Sequence, residues 1–308
     1  MKRQILFPGI LILFVSLVFS NCKKEDSTND NSNEVAVHSD DQSTFDNQTD
    51  AVANDADVAI ESTSAFTGRT DQPQTLICNA NVVVDTLNNP RTITITYNGN
   101  DCFGTTNRTG TVVLSMPAGV HWKDAGAALT ITFQNLHITR LSDNKSVTIN
   151  GASTVTNVSG GLLINLATLG TITHSITSNG MTVTFDNGSQ RSWQIAKQRV
   201  FTYNNGVVIT TTGTHTEGQL TGVAEWGTNR FGNAFTTAIT NPMVIRQDCN
   251  FRLTSGQVVH TLPHVTATGT FGLNADGNPT TCPGAGHYYM KIVWLGNNGN
   301  SVTIILPY

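Results

Sequence analysis

Charge is scarce in this chain. Of 308 residues only 12% are Asp, Glu, Lys or Arg, about half the ~25% usual in globular domains. Aromatic residues stand at 7%. So little charge excludes coiled coils, long helical bundles and nucleic-acid binding through a strongly basic surface. The usual catalytic signatures are missing as well. There is no Gly-x-Ser-x-Gly elbow, no phosphate loop, no His-Glu-x-x-His and no dinucleotide fingerprint. No Cys-x-x-Cys or neighbouring Cys/His pair offers a zinc site, so neither a metal nor a cofactor is expected.

What is present begins with an address. Lys2 and Arg3 precede a run from Ile5 to Phe19 that is apolar except for Pro8, Gly9 and Ser16. It is too short to span a bilayer and reads as a secretory signal over residues 1–21. Cys22 follows, and then the chain turns polar. A cysteine at this junction is what a lipoprotein signal needs. Its thiol takes a diacylglyceryl group, and two or more acyl chains anchor stably where one is marginal. Cys22-Lys23-Lys24-Glu25-Asp26 resembles the lipoproteins of Bacteroidota, in which a lysine and acidic residues after the lipidated cysteine accompany export to the cell surface. The resemblance covers residues 1–26. It implies an outer-membrane protein, lipid-anchored and facing the outside.

Beyond the signal, charge is unevenly divided. Residues 23–72 carry 12 acids and 3 bases, and residues 73–308 carry 9 acids and 12 bases. The segment 22–72, rich in Asn, Asp, Ser and Thr, reads as an acidic flexible linker with too few bulky apolar residues to order itself. A short helix over 50–65 is the one element expected there.

From about Leu76 the pattern acquires a period of two. Ile93, Ile95 and Tyr97 alternate with threonines, as do Leu129, Ile131 and Phe133. Val147/Ile149 and Met181/Val183/Phe185 repeat the pattern. Each places apolar side chains on one face and hydroxyls on the other. Turn signals stand between them at Asn98-Gly99, Asp143-Asn144, Asp186-Asn187-Gly188, Asn204-Asn205-Gly206 and Asn298-Gly299. Forty threonines in residues 73–308 suit strands and argue against helices. Only Gly161 to Leu169 has a helical look, with another strand as the alternative. The expected fold is all-β, a large antiparallel meander of 14–18 strands. The pattern leaves open a sandwich, a curved sheet or a partly closed barrel.

An exported chain with four further cysteines favours disulfides. Cys78-Asn79 and Cys249-Asn250 share a dipeptide, and Cys102 and Cys282 each lie ten residues before an apolar run. These echoes suggest two related halves and the pairing Cys78–Cys102, Cys249–Cys282.

Candidate chemistry is thin. His260 and His264 are four apart, and His215 and Glu217 share a strand face; solvated or strand-edge positions explain both. Glu217 and Glu225 are too far apart on a strand for a two-carboxylate hydrolase unless Gly218 and Gly222 bend the chain. Asn274-Ala275-Asp276-Gly277-Asn278 lacks the Gly and Glu of a calcium loop and reads as a turn. The segment Arg191 to Tyr203 has one unusual face of alternating aromatics and bases. Trp193, Arg199 and Tyr203 on that face are the candidate ligand-binding residues, suited to sugar rings or anionic glycans if they face outward. The other reading is a long hairpin strand whose Trp and Phe lie in the core and whose bases lie beyond the core edge.

The expected function is that of a cell-surface lipoprotein without enzymatic activity, a binding or structural module. Its partners would be the membrane, through Cys22, and a glycan or an envelope protein, not nucleic acid. Two rivals remain: a hydrolase of extracellular polymers with a site assembled from distant loops, and an accessory subunit of an envelope transport complex that docks through a sheet edge.

Overall fold

The computed structural model describes residues 32–68, 77–282, 286–296 and 299–308. The signal segment, Cys22 and the remainder of the expected linker up to residue 31 lie outside the described residues. The described chain opens with α1 (Ser32–Glu61) and the short α2 (Ser64–Thr67). The strands are β1 (Ala80–Asp85), β2 (Arg91–Asn100), β3 (Thr106–Met116), β4 (Ala127–Arg140), β5 (Ser146–Asn157), β6 (Thr171–Phe185), β7 (Gln190–Tyr203) and β8 (Val207–Gly213). They continue as β9 (His215–Glu217), β10 (Leu220–Thr228), β11 (Ala234–Arg246), β12 (Arg252–Leu262), β13 (Val265–Leu273), β14 (Tyr289–Leu295) and β15 (Ser301–Pro307). A 3-10 turn and α3 (Leu166–Leu169) sit between β5 and β6, where the sequence has its one helical look.

All fifteen strands belong to one antiparallel sheet that follows chain order with one exception. Between β7 and β11 a single lane is shared. β10 pairs with β7 through Trp193, Gln194 and Ile195, and β8 takes over from Lys197 to Tyr203. β1 and β15, the two ends of the order, are not paired with each other. The all-β meander is therefore observed as a curved, partly closed sheet.

The alternation read in the sequence is the alternation of burial. Ile93, Ile95, Tyr97, Leu129, Ile131, Phe133, Val147, Ile149, Met181, Val183 and Phe185 are all 3% exposed or less. Their threonine neighbours lie on the opposite face. Hairpin turns stand at Asp143-Asn144, Asp186-Asn187-Gly188 and Asn204-Asn205-Gly206. Asn98-Gly99 is different: β2 runs through it to Asn100, pairing Gly99 with Arg108, and the turn comes at residues 101–105. Where β3 meets β4 the register slips between Thr109 and Thr111. Gly110 has φ +105° there, and a Cβ on it would meet the Asn135 carbonyl oxygen at 2.2 Å. Such a bulge sharpens the local twist and helps the sheet to coil.

The sheet coils around α1. The helix meets β2 and β3 through Asp55, β4 through Asp40, β7 through Asp46 and Asp50, and β12 through His38. A flat sheet cannot bring those strands to one helix. Val35, Phe45, Val52, Ala56 and Ile60 of α1 share one hydrophobic cluster with residues from β2 to β14. That cluster runs through both expected halves without a boundary. A smaller one, Leu166, Ile172, Phe201 and Ile209, closes the end near α3.

This overturns the linker reading over residues 32–67. A 30-residue helix stands where a flexible segment was expected, and it is twice as long as the short helix placed over 50–65. Of its side chains with described burial, only Asn33 and Asn47 are exposed. The reason lies in what the helix buries. His38, Ser39, Asp41, Gln42, Ser43, Gln48, Thr49 and Asp57 are buried alongside its apolar residues. A composition argument counts those polar residues as solvent-seeking, whereas here the fold encloses them: Asp41 against Arg230, Gln42 and Thr49 bonded within the helix, and His38 against aromatic rings.

Cys78 pairs with Cys102 and Cys249 with Cys282, at Cα–Cα separations of 5.3 and 5.0 Å, as the shared contexts suggested. Each closes a loop whose restraint of the unfolded chain is worth about 3–4 kcal/mol in the chain-entropy model. The double variant Cys249→Ser/Cys282→Ser should lose about that much stability in urea unfolding. Non-reducing peptide mapping that joined Cys78 to Cys249 or Cys282 would refute the pairing.

Candidate functional site

Strand β7 carries the unusual face, and the structure resolves which way it points. Trp193, Ile195, Lys197, Arg199 and Phe201 are all buried, so the face lies against α1. Trp193 is 0% and Arg199 1% exposed, whereas Tyr203 at the strand's end is 52% exposed. The three residues therefore do not form an outward ligand platform. The alternation holds and the rings are in the core, the other reading of that face; Lys197 and Arg199, which that reading put beyond the core edge, are inside it as well. Solvent does not reach Trp193 because Phe45 and Phe235 pack against it with tilted rings, centroids 4.9 and 4.5 Å away.

What faces β7 is a row of helix acids. Asp46 and Asp50 are one helical turn apart, a rise of about 6 Å. Lys197 and Arg199 are two strand residues apart, about 6.6 Å. The spacings match, and the helix and the strand run in the same direction. Lys197 pairs with Asp46 and Arg199 with Asp50. The pattern recurs around the helix. Asp40 accepts from Arg140 at 2.7 Å and Lys145 at 2.9 Å, and Asp41 accepts twice from Arg230 at 2.6 Å. Asp55 takes Arg108 at 3.0 Å and the Tyr97 hydroxyl at 2.8 Å. At the ends, Glu34 accepts from Asn229 and Asn233, and Glu61 accepts from the Leu163 and Ile164 amides.

The centre of this seam is a triad. Lys197 contacts Asp46 and, at 2.6 Å, Glu225 of β10. Trp193 donates its indole N–H to the other oxygen of Glu225 at 2.8 Å. Gln42 donates to the second Asp46 oxygen at 2.6 Å. Burial, with Glu225 alongside, pushes the Asp46 carboxyl well above the usual carboxylate range. The two carboxylates hold Lys197 as an ammonium, against its burial. A cavity of about 20 Å³ lies beside Lys197, lined by Thr49, Asp50, Ala53, Ser153 and apolar residues of β4 to β7. It has room for one water and not for a substrate.

Near the start of α1, His38 packs on Phe235 at 4.5 Å and edge-on against His260 at 5.3 Å. His260 Nδ1 lies 3.0 Å from the Thr237 hydroxyl. Burial holds His38 far below the ordinary histidine range and pushes His260 down to about 4. Burial, with Arg199 nearby, takes His174 to about 3. All three are neutral at neutral pH. Their contribution to stability is complete above about pH 6.5 and is lost as pH falls towards those values.

The remaining candidates separate. His264 is exposed in the β12–β13 turn while His260 is in the core. Glu225 is fully buried and Glu217 is on the outside, 3.1 Å from His215. The two glutamates do not flank a cleft. His215 stacks on Trp226 at 4.1 Å, a surface cluster on β9 and β10. Asn274 accepts from the Asp276 and Asn278 amides, the turn expected there.

Sequence reasoning missed the seam. Its trace was the charge division, an acidic segment followed by a body with a surplus of bases, read as a linker and a surface rather than as two halves of one interface. No family model, curated protein or solved structure matches this chain.

Two outcomes follow from the burial. Trp193→Ala should cost about 3–5 kcal/mol in unfolding free energy, the range for a fully buried ring; an unchanged melting temperature would put the ring outside the core. Asp57 is buried beside Glu61, and its carboxyl is raised to about 8. A carboxyl raised in the fold adds stability below its unfolded value near 4 and loses it as pH rises through the folded value. Asp57→Asn should therefore raise the melting temperature by several degrees above pH 8 and change it little below pH 4. A gain that is the same at both ends would refute the shift.

Proposed function

We propose that this protein is a lipid-anchored, cell-surface structural or binding module that performs no catalysis of its own. The observation that carries this reading is the occupied interior. The space inside a coiled sheet, where a barrel would keep a ligand, is filled by α1 and its ion pairs. Among the described residues, the buried carboxylates and bases of the seam are engaged with one another. The address read at Cys22 supports a membrane anchor.

With α1 part of the body, only residues 22–31 separate the anchor from the fold. Fully extended, ten residues span about 35 Å at most. The body then sits close to the lipid surface, on a much shorter leash than a 50-residue linker would give. The end of the helix nearest the anchor lies by Asn229, Arg230 and Asn233 in the β10–β11 turn, so an anchor at Cys22 would join the body at that end of the sheet.

A second reading, docking in an envelope assembly, is favoured by β1. Val82, Val83 and Val84 on this edge strand are 40–55% exposed, and Leu87 beyond it is 96% exposed. Edge strands are usually protected by charge, proline or a bulge, and these valines are not.

Metabolic palmitate labelling should mark the wild type and not Cys22→Ala, and a membrane-impermeant amine reagent should label the protein on intact cells. Absence of palmitate, or labelling only after lysis, would sink the surface-anchor reading.

A further inference from the structure

We propose that Lys197 and Asp46 condense to an intramolecular amide, with Glu225 as the proton carrier, so that α1 is joined covalently to strand β7. The two side chains are already in contact. They meet where water is scarce: Lys197 is 4% and Glu225 0% exposed, and Phe45, Trp193 and Phe235 wall the site. Asp46 itself is 21% exposed at its outer edge.

Every part of an amide-forming site is present. The amine and the carboxyl are held together, which replaces a bimolecular encounter by a positioned one. Glu225 touches Lys197 at 2.6 Å, and Lys197 in turn touches Asp46. Glu225 thus lies against the group that must lose protons, one contact away from the group that must gain one. The indole N–H of Trp193 fixes its orientation. The Gln42 amide donates to the Asp46 oxygen that remains as the new carbonyl, at 2.6 Å. A donor there stabilises the negative charge that develops as nitrogen adds. Burial and Glu225 push the Asp46 carboxyl well above the usual carboxylate range, which favours the carboxylic acid, the electrophilic form, over the carboxylate.

The step balances. The Lys197 ammonium passes one proton to the Glu225 carboxylate. The free amine attacks the Asp46 carboxyl carbon, forming the C–N bond. Glu225 delivers its proton to the departing hydroxyl, the C–O bond breaks, and water leaves. The second nitrogen proton returns to Glu225, which ends as a neutral acid beside a neutral amide. No oxidant or activating nucleotide is required. The cavity next to Lys197 is large enough for the one water released. The product also replaces a buried charged triad, costly to desolvate, with uncharged groups.

Peptide mapping of the purified full chain tests this directly. After reduction, alkylation and trypsin, the wild type should give one branched peptide. It would join residues 25–69 to residues 192–199, lighter than their sum by one water, with no cleavage after Lys197. Asp46→Ala should abolish it. Glu225→Gln, checked for a native circular dichroism spectrum, should leave the two segments as separate peptides. Recovery of unmodified linear peptides from the wild type, with cleavage after Lys197, would overturn the proposal and leave an ordinary ion triad. A cross-link undiminished in Glu225→Gln would overturn the role given to Glu225. Should that variant fail to fold, the wild-type map alone still decides.

Discussion

The fold depends on the docking of an acidic helix onto basic positions of the sheet that surrounds it. Without α1, the inward rows of β2 to β14 would face a cavity, Arg199 and Arg108 would lose their helix carboxylates, and Lys197 and Arg230 would keep only Glu225 and Asp186. Buried ion pairs add little net stability against well-packed apolar alternatives, but removing one partner is expensive. Their effect here is on specificity. Asp46 and Asp50 match Lys197 and Arg199 in only one register, and Asp41 and Asp55 fix the rotation of the helix against Arg230 and Arg108. A helix with an apolar stripe alone would be free to slide or turn within a curved sheet. One with a charge at every turn is not.

The strands were legible because their signal is local. Ile93-Thr94-Ile95-Thr96-Tyr97 declares its period within five residues, and Asp186-Asn187-Gly188 declares its turn within three. The disulfides were legible because the cysteines carry their context with them. The short helix after β5 was visible for the same reason. The direction of β7 was not, because period two says that Trp193 and Arg199 share a face without saying which side of the sheet that face is on. What decides it is Phe45 and Asp50, about 150 residues away in the chain. A basic residue on a strand is usually read as facing water, and the reading fails when the other half of its ion pair is remote.

The helix was illegible for a more specific reason. Strong helices announce themselves by an apolar stripe, and α1 has one only in its second half, from Phe45 through Val52 and Ala56 to Ile60. Its buried arc includes His38, Asp41, Gln42, Gln48, Thr49 and Asp57, residues that count towards disorder when each is weighed by its own solvation. The information was in the chain as a sum: 12 acids before residue 73 and a surplus of bases after it. Complementary charge separated by 150 residues is invisible to a window of fifteen. The same remoteness hid the triad, since Glu225 and Lys197 were in view as a lone carboxylate and a base, and Asp46 was assigned to a linker.

The position of α1 has a mechanical consequence. If the chain is held at Cys22, any force between the membrane and the body enters through the start of α1 and is directed along its axis. The helix runs parallel to β7, so such a force shears the seam instead of peeling it, and the pairs at Asp41, Asp46, Asp50 and Asp55 are loaded together. Neither disulfide reaches the helix; Cys78–Cys102 and Cys249–Cys282 both tie the sheet to itself. Non-covalent pairs under sustained load open one after another once the first has failed. A covalent link halfway along α1 would transmit the load to the central strand of the sheet, and its position at Asp46 leaves the first half of the helix to yield while the second stays seated. An anchored module that must stay folded close to a membrane gains most from a cross-link at the place where this chain brings an amine and two carboxyl groups into contact.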